Sequence, residues 1–372
     1  MKSKFIEKIE FFFVKLFFNI FSRLSFNATR KFCRTFFVFI FNILKKEKNF
    51  AFKNLEIIFK EISKKEKKKI YNKFSKIYGE LFACQLKFPS FNKEFLTNCF
   101  ISEGYENISK ILQQKKGCIV ATGHLGNWEL FGNSAELRGF SLNAIYRPLD
   151  NHLIDRYLNE FRTKYGMKLI SKFASPVSYI RVLMRNEVLC IVADQNTIKN
   201  YIFIPFFGKI AAASRGFSYL HLKTGAPVVF AYSLVSEDFK YYSYITEEIR
   251  FDFLYNNMQV EEKYFLDCFY NVFNIDIERS EYLKKLEEFK LMYDINDGFK
   301  IKDIETYQRS IKLFESSFFN YNDLDENYKI FVITYVFHKF LESIIKKSPE
   351  NWLLVHPRFR KQPSGIPSPY VK

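Results

Sequence analysis

His124 is followed five positions later by Glu129, inside the run from Ala121 to Leu130 that also holds two glycines. An imidazole and a carboxylate that converge on one spot can take a proton from a hydroxyl: the ring accepts it and the carboxylate orients the ring. Residues five apart on one helix point about 140° away from each other. The spacing therefore predicts His124 just before a helix and Glu129 in its first turn. Such strand-to-helix corners also present free backbone N–H groups to anions. On spacing alone, a histidine hydrogen-bonded in a turn explains the pair as well.

The elements that position this pair are legible around it. Cys118–Thr122 before it is short, apolar and β-rich, and residues 127–137 after it have helical spacing. Further strands are predicted at 142–146, 168–170, 188–193, 228–234 and 241–249, and further helices at 152–165, 176–185 and 214–224. This alternation predicts an α/β fold, a layered mixed sheet flanked by helices. Polar residues gather at the predicted strand ends: Tyr146 and Arg147 after one strand, Asp194 and Gln195 after another. Arg162 lies late in the helix between them. One sheet edge is thus expected to bring His124, Glu129, Arg162 and Asp194 to a single cleft. The roles expected are base, orienting carboxylate, phosphate or carbonyl ligand, and second carboxylate. Each has a plainer reading: Arg162 as a surface charge, Asp194 as a turn cap.

The chain has 372 residues and a net charge of +17. Residues 1–90 hold 21 Lys and Arg against 7 Glu, so most of the excess is local. Nucleic acid and an anionic membrane surface both attract such a patch. No nucleic-acid-reading motif accompanies it, so no nucleic-acid partner is expected. Two stretches, 11–21 and 36–44, are rich in Phe, yet neither has the 18 uncharged residues of a spanning helix. In the first, Phe13, Leu16, Phe17, Ile20, Phe21 and Leu24 fall on one helical face. Arg23, Arg30, Lys31 and Arg34 add charge suited to anionic head groups. Residues 1–45 thus read as membrane-anchoring amphipathic helices, with a tilted span and packing inside a soluble core as the alternatives. Residues 46–100 form a lysine-rich helical region, with a capping box at Ser63 and Glu66. The six cysteines form no C-x-x-C pair and no Cys/His cluster has ligand spacing, so reduced thiols and no metal are expected.

Taken in order, these blocks resemble the lipid A biosynthesis acyltransferase family, the late acyltransferases of lipopolysaccharide precursors. The resemblance rests on Asn54-Leu55 with Phe59, Glu103-Gly-Tyr-Glu106, Gly123 to Glu129, Tyr146-Arg-Pro with Asn151, and Asp194-Gln195. It continues through Pro205 to Gly208, Thr224 to Pro227, Pro349 to Trp352, His356 to Arg360, and a closing Pro363 to Tyr370. It implies transfer of a fatty acyl group from an acyl-carrier-protein thioester to a hydroxyl of a phosphorylated glucosamine lipid, with coenzyme A as the other donor. It implies His124 as base and Glu129 as the group orienting it, with Arg162 and Asp194 also functional. Asn127, Tyr146, Arg147, Gln195, Arg358 and Arg360 are the implied substrate-binding residues, the arginines for phosphates. It implies no metal or redox cofactor, and a place at the cytoplasmic face of the inner membrane. Relatives of the same architecture acylate other glycolipids, such as mannosylated phosphatidylinositol. A reading from another class is a non-catalytic basic membrane-binding protein, indifferent to loss of His124.

Two features depart from the family pattern. Pro357 stands where an Arg is expected, and residues 255–325 are an apparent insertion with 15 acidic and 9 basic residues. Residues 282–292 within it have helical spacing. The catalytic domain is expected to comprise 101–254 and 326–372.

Overall fold

The computed structural model describes residues 4–251, 326–362 and 367–370. The insertion at 255–325, with its expected helix at 282–292, and the Pro363 end of the closing block lie outside them, apart from Tyr370.

Four helices come first: α1 (Lys4–Arg23), α2 (Phe26–Ile43), α3 (Lys45–Ile58) and α4 (Lys64–Lys87). The expected capping box starts α4: Ser63 accepts from the Glu66 amide while the Glu66 carboxylate accepts from the Ser63 amide. The rest alternates as α5 (Lys93–Asn98), β1 (Phe100–Glu103), α6 (Tyr105–Leu112), β2 (Cys118–Thr122), α7 (Trp128–Leu137), β3 (Leu142–Tyr146) and α8 (His152–Arg162). Then come β4 (Lys168–Ser171), α9 (Pro176–Met184), β5 (Val188–Val192), the strands β6 (Tyr201–Phe206) and β7 (Lys209–Ser214), α10 (Gly216–Thr224), β8 (Val228–Val235) and β9 (Tyr241–Ile245). The last described helix is α11 (Glu326–Lys347).

Seven strands form one mixed sheet in the order β1-β9-β8-β2-β5-β3-β4. All neighbours are parallel except β8 and β9. The expected layered α/β architecture is therefore borne out. The six strands predicted from the sequence are β2, β3, β4, β5, β8 and β9; the edge strand β1 and the β6–β7 hairpin were not predicted. The hairpin turns through Phe207 and Gly208, both at positive φ, a geometry ordinarily signalled by Asn-Gly. The Phe207 amide donates to the Glu342 carboxylate of α11 at 2.6 Å, which pins the unusual turn.

The central strand β2 is flanked by β5 and β8 and fully buried, as a parallel strand covered on both faces must be. Its core is continuous with the N-terminal helices: Leu55, Tyr71 and Phe74 share one buried cluster with Ile119, Leu189 and Phe337. Gly104 opens α6 at φ +87, where a Cβ would meet the Ile245 carbonyl oxygen at 1.9 Å. Only glycine fits there.

The apolar face expected on α1 divides. Phe13, Leu16, Ile20 and Leu24 are exposed, but Phe21 is buried and Phe17 packs beside it. The neighbouring Phe18 turns inward too, against Tyr157 and Phe161 of α8. Likewise, Arg30 and Arg34 do not project to head groups. Both pair with Glu80 of α4, a wholly buried carboxylate, at 2.6 and 2.8 Å. A buried charge held this way is costly to break, about 3–5 kcal/mol when one partner is removed. Among the described residues, no helix is long and apolar enough to cross a membrane.

Candidate active site

His124 leaves the sheet two residues beyond β2, and Asp194 leaves it two residues beyond β5. Thr122 and Val192 are partners in the β2–β5 register. Carrying that register forward two residues sets His124 beside Asp194. The turn that follows must be tight: Gly126 sits at φ +53, and a Cβ there would meet the Ser233 carbonyl oxygen at 2.5 Å. Asn127 then caps α7 by accepting from the Leu130 amide, and Glu129 falls in the first turn.

The His124 ring is fixed on both nitrogens. Nδ1 lies 2.6 Å from Asp194 Oδ1, while the His124 backbone N–H donates to Asp194 Oδ2 at 3.0 Å. Trp352 Nε1 donates to the same Oδ2 at 2.9 Å. On the other side, the Gln195 amide nitrogen lies 3.1 Å from His124 Nε2. An amide nitrogen only donates, so Nε2 accepts and the ring proton sits on Nδ1, against the carboxylate. Trp128 closes the edge of the ring, with centroids 4.9 Å apart. Asp194 is nearly sealed from solvent. Burial pushes its carboxyl up, but the His124 ring beside it and the three N–H donors hold it well below the usual carboxylate range.

Glu129 does something different. Its carboxylate takes two parallel bonds from Arg162, the last residue of α8, at 2.9 and 2.7 Å. Arg162 is raised from its usual value: burial pulls it down, and the paired Glu129 carboxylate more than offsets that. The carboxylate that orients the imidazole is thus Asp194, not Glu129. The reason is geometric: the turn swings His124 toward β5, while α7 aims Glu129 at α8.

Beneath this ion pair lies a cavity of about 50 Å³. Phe88, Leu158 and Phe161 line its apolar side, and Asn127, Glu129 and Arg162 its polar side. Asn127 Nδ2 is buried and has no hydrogen-bond partner among the described residues. It is a spare donor one turn from the base.

The C-terminal segment builds the floor of the site. The Leu353 amide donates to the His124 carbonyl at 3.2 Å, and Gly126 donates to the Asn351 carbonyl at 2.9 Å. His356 Nε2 accepts from the Asn196 amide at 3.0 Å, holding the loop after Asp194. Asn54 of α3 in turn donates to the carbonyls of Leu354 and His356 at 2.7 and 2.8 Å.

A family model of bacterial lipid A biosynthesis acyltransferases matches residues 2–251. The chain belongs to this family. It is also similar to the phosphatidylinositol mannoside acyltransferases of two Mycobacterium tuberculosis strains, CDC 1551 / Oshkosh and ATCC 25618 / H37Rv. Each is 20% identical over 158 residues, which cover 41% of this chain and 50% of the relative. The chain thus spans about half the length of these curated relatives.

The other residues that the family pattern singles out fall in distinct places. Tyr146 ends β3, and its hydroxyl donates to Asp155 at 3.5 Å. Arg147 is exposed, 3.7 Å from Asp150. Arg360 is exposed. Arg358 is not available to a phosphate: it is wholly buried, donating to the Ala212 carbonyl at 2.6 Å and to His338 Nε2 at 3.0 Å. With no carboxylate bonded to it among the described residues, burial lowers its guanidinium to about 10. Burial and the Arg358 cation likewise lower His338 to about 3. Sequence reading gave no role to Trp352, Asn351 or His356, although Trp352 and His356 stand in the closing family blocks. Their link to His124 spans more than 220 residues of chain and has no local signature.

Proposed function

We propose that the chain moves a fatty acyl group from an acyl-carrier-protein thioester to a hydroxyl of a lipid A precursor, at the cytoplasmic face of the inner membrane. The observation that carries the reading is the His124 ring in a lipid A acyltransferase family chain. Its proton is held on Nδ1 by Asp194 and its Nε2 is ready to accept. In this mechanism the acceptor hydroxyl replaces the Gln195 amide at Nε2. His124 removes its proton as the oxygen attacks the thioester carbonyl. Asp194 balances the imidazolium. The tetrahedral oxyanion takes the spare Asn127 N–H and backbone N–H groups at the head of α7. Collapse breaks the carbon–sulfur bond, and the proton on Nε2 passes to the departing thiolate. The chemistry needs no metal or redox cofactor. Arg147 and Arg360 are the exposed cations suited to the acceptor phosphates. Phe5, Phe12, Phe13 and Phe39, exposed on α1 and α2, suit lipid anchoring.

The mycobacterial relatives favour a second acceptor, a mannosylated phosphatidylinositol. Mass spectrometry of the membrane glycolipids from a deletion strain separates the two: the species that lacks one acyl chain is the acceptor. With that acceptor, His124→Ala is expected to lose transfer by about 10⁴-fold with fold and vesicle binding intact. Full transfer by His124→Ala would remove His124 as the base, and absence of transfer by the unsubstituted chain would leave only the non-catalytic, membrane-binding reading.

A further inference from the structure

Strands β5, β3 and β4 lie side by side, run parallel, and end at the sheet edge that carries His124 and Asp194. The loop after each exposes an apolar side chain beside a cation. After β3 these are Leu149 and Arg147; after β4, Phe173 and Lys172, with Val177 in the first turn of α9; after β5, Ile198 and Lys199. Phe173 and Ile198 are each 73% exposed, and Lys172 Nζ lies 5.2 Å from the Phe173 ring centre. Single exposed apolar residues are ordinary, but three on adjacent loops and a fourth on the helix that follows one of them, all at one edge, are not. At the opposite edge Met184 is exposed, but the cations there, Lys168 and Arg185, are both paired with Glu187. The rim is also continuous with the anchor. Asn151, two residues after Leu149, donates to the Glu7 carbonyl and to the Glu10 carboxylate of α1, each at 2.9 Å. The face of α1 beyond that contact exposes Phe5, Ile9, Phe12 and Phe13.

We propose that this catalytic rim is a second membrane contact, seated on an anionic lipid leaflet so that the His124 site opens toward the bilayer. The proposal rests on the reading of that site as one that acts on a membrane glycolipid. Protruding apolar side chains enter the head-group boundary while neighbouring cations stay among lipid phosphates, the composition of an interfacial surface. Asp150 beside Arg147 is the one acid on these loops that works against it. Leu149, Phe173, Val177 and Ile198 would set how far the sheet edge descends, and so which depth of glycolipid meets His124.

The experiment adds one tryptophan to a chain that has two. Phe173→Trp reports on the rim. Met184→Trp, at a residue 78% exposed at the end of α9 toward the other sheet edge, is the control. On phosphatidylglycerol vesicles with brominated acyl chains, the added tryptophan is expected to be quenched at 173 and not at 184. Equal quenching at both, or none at 173, overturns the proposal. The Leu149→Ser, Phe173→Ser, Ile198→Ser triple variant is then assayed on two acceptors. Transfer to vesicle-embedded acceptor is expected to fall about tenfold or more, with transfer to a short-chain soluble acceptor retained. An equal fall on both would mark the rim as a dock for the acidic carrier protein and overturn the lipid contact. Should the unsubstituted chain transfer to neither acceptor, the enzymatic reading fails, and the quenching result still decides the rim.

Discussion

Two carboxylates lie within a few residues of the same cleft, and their surroundings give them different work. Asp194 is nearly sealed, and it meets a ring nitrogen, a backbone N–H and an indole N–H, all supplied by the sheet edge and the C-terminal segment. Glu129 is a quarter exposed on a helix, and its carboxylate is taken by Arg162. The lesson is that proximity in sequence is a poor guide to which acid serves the base. Glu129 is five positions from His124 and Asp194 is 70 away, yet the parallel register of β2 and β5 makes Asp194 the neighbour.

The comparison is sharpest in the paired substitutions Asp194→Asn and Glu129→Gln. Asp194→Asn keeps the shape but presents an amide N–H to Nδ1, which forces the proton onto Nε2 and removes the base. Its kcat is expected to fall about 10³–10⁴-fold with little change in KM. Glu129→Gln leaves the ring geometry intact and loosens Arg162, so a smaller loss of about 10–100-fold is expected. Equal losses would mean that both acids act on the ring in the reacting complex, and the contrast would break.

Trp352→Phe removes one of the donors to Asp194 and keeps most of the packing. The carboxyl is then less well held, and kcat is expected to fall about tenfold. The acid limb of the pH–rate profile should shift as well. A loss of stability with an unchanged profile would reduce Trp352 to a packing residue.

The smallest effect concerns two histidines under the site, His338 buried and His356 half-buried. His338 and His356 are lowered by burial to about 3 and about 4, from an ordinary 6.5. Their neutral forms are favoured in the folded chain, so the unfolded chain binds more protons below pH 6.5. Stability from this source is present above pH 6.5 and is lost as pH falls toward 4 and then 3. Thermal unfolding followed by circular dichroism should show a midpoint that drops by several degrees between pH 6.5 and 4. His338→Asn should flatten that slope.

Much of this was legible in the sequence, for physical reasons. Short apolar runs such as 118–122 and 188–193, too short for helices and rich in β-branched residues, read as buried strands between helices, so the sheet followed from them. The corner at His124 followed from its glycines and from the strand and helix spacing on either side of it; that Asn127 caps the helix came only with the structure. The hairpin did not, because Phe207 stands where a turn would show Asn or Gly. Arg358 was misread because an arginine is ordinarily at the surface; here a carbonyl and a neutral histidine take its two terminal nitrogens in the core, and its Nε is buried without a partner among the described residues. The division of the α1 face was hidden as well. Helical spacing shows that Phe17, Phe21 and Ile20 share a side, but only the packing of α8 shows which of them turn inward.

The arrangement around Asn54 carries a consequence for how the molecule is made. This residue of an early helix grips the backbone at Leu354 and His356, and its carbonyl oxygen receives the Tyr370 hydroxyl. On the ribosome, the histidine and its aspartate emerge long before the residues that fasten them. The nascent chain therefore carries the reactive groups in an unassembled state. The segment that carries Trp352 to Asp194 is tied to a helix some 300 residues earlier, so the hydrogen-bond set around the base is complete only when both are in place.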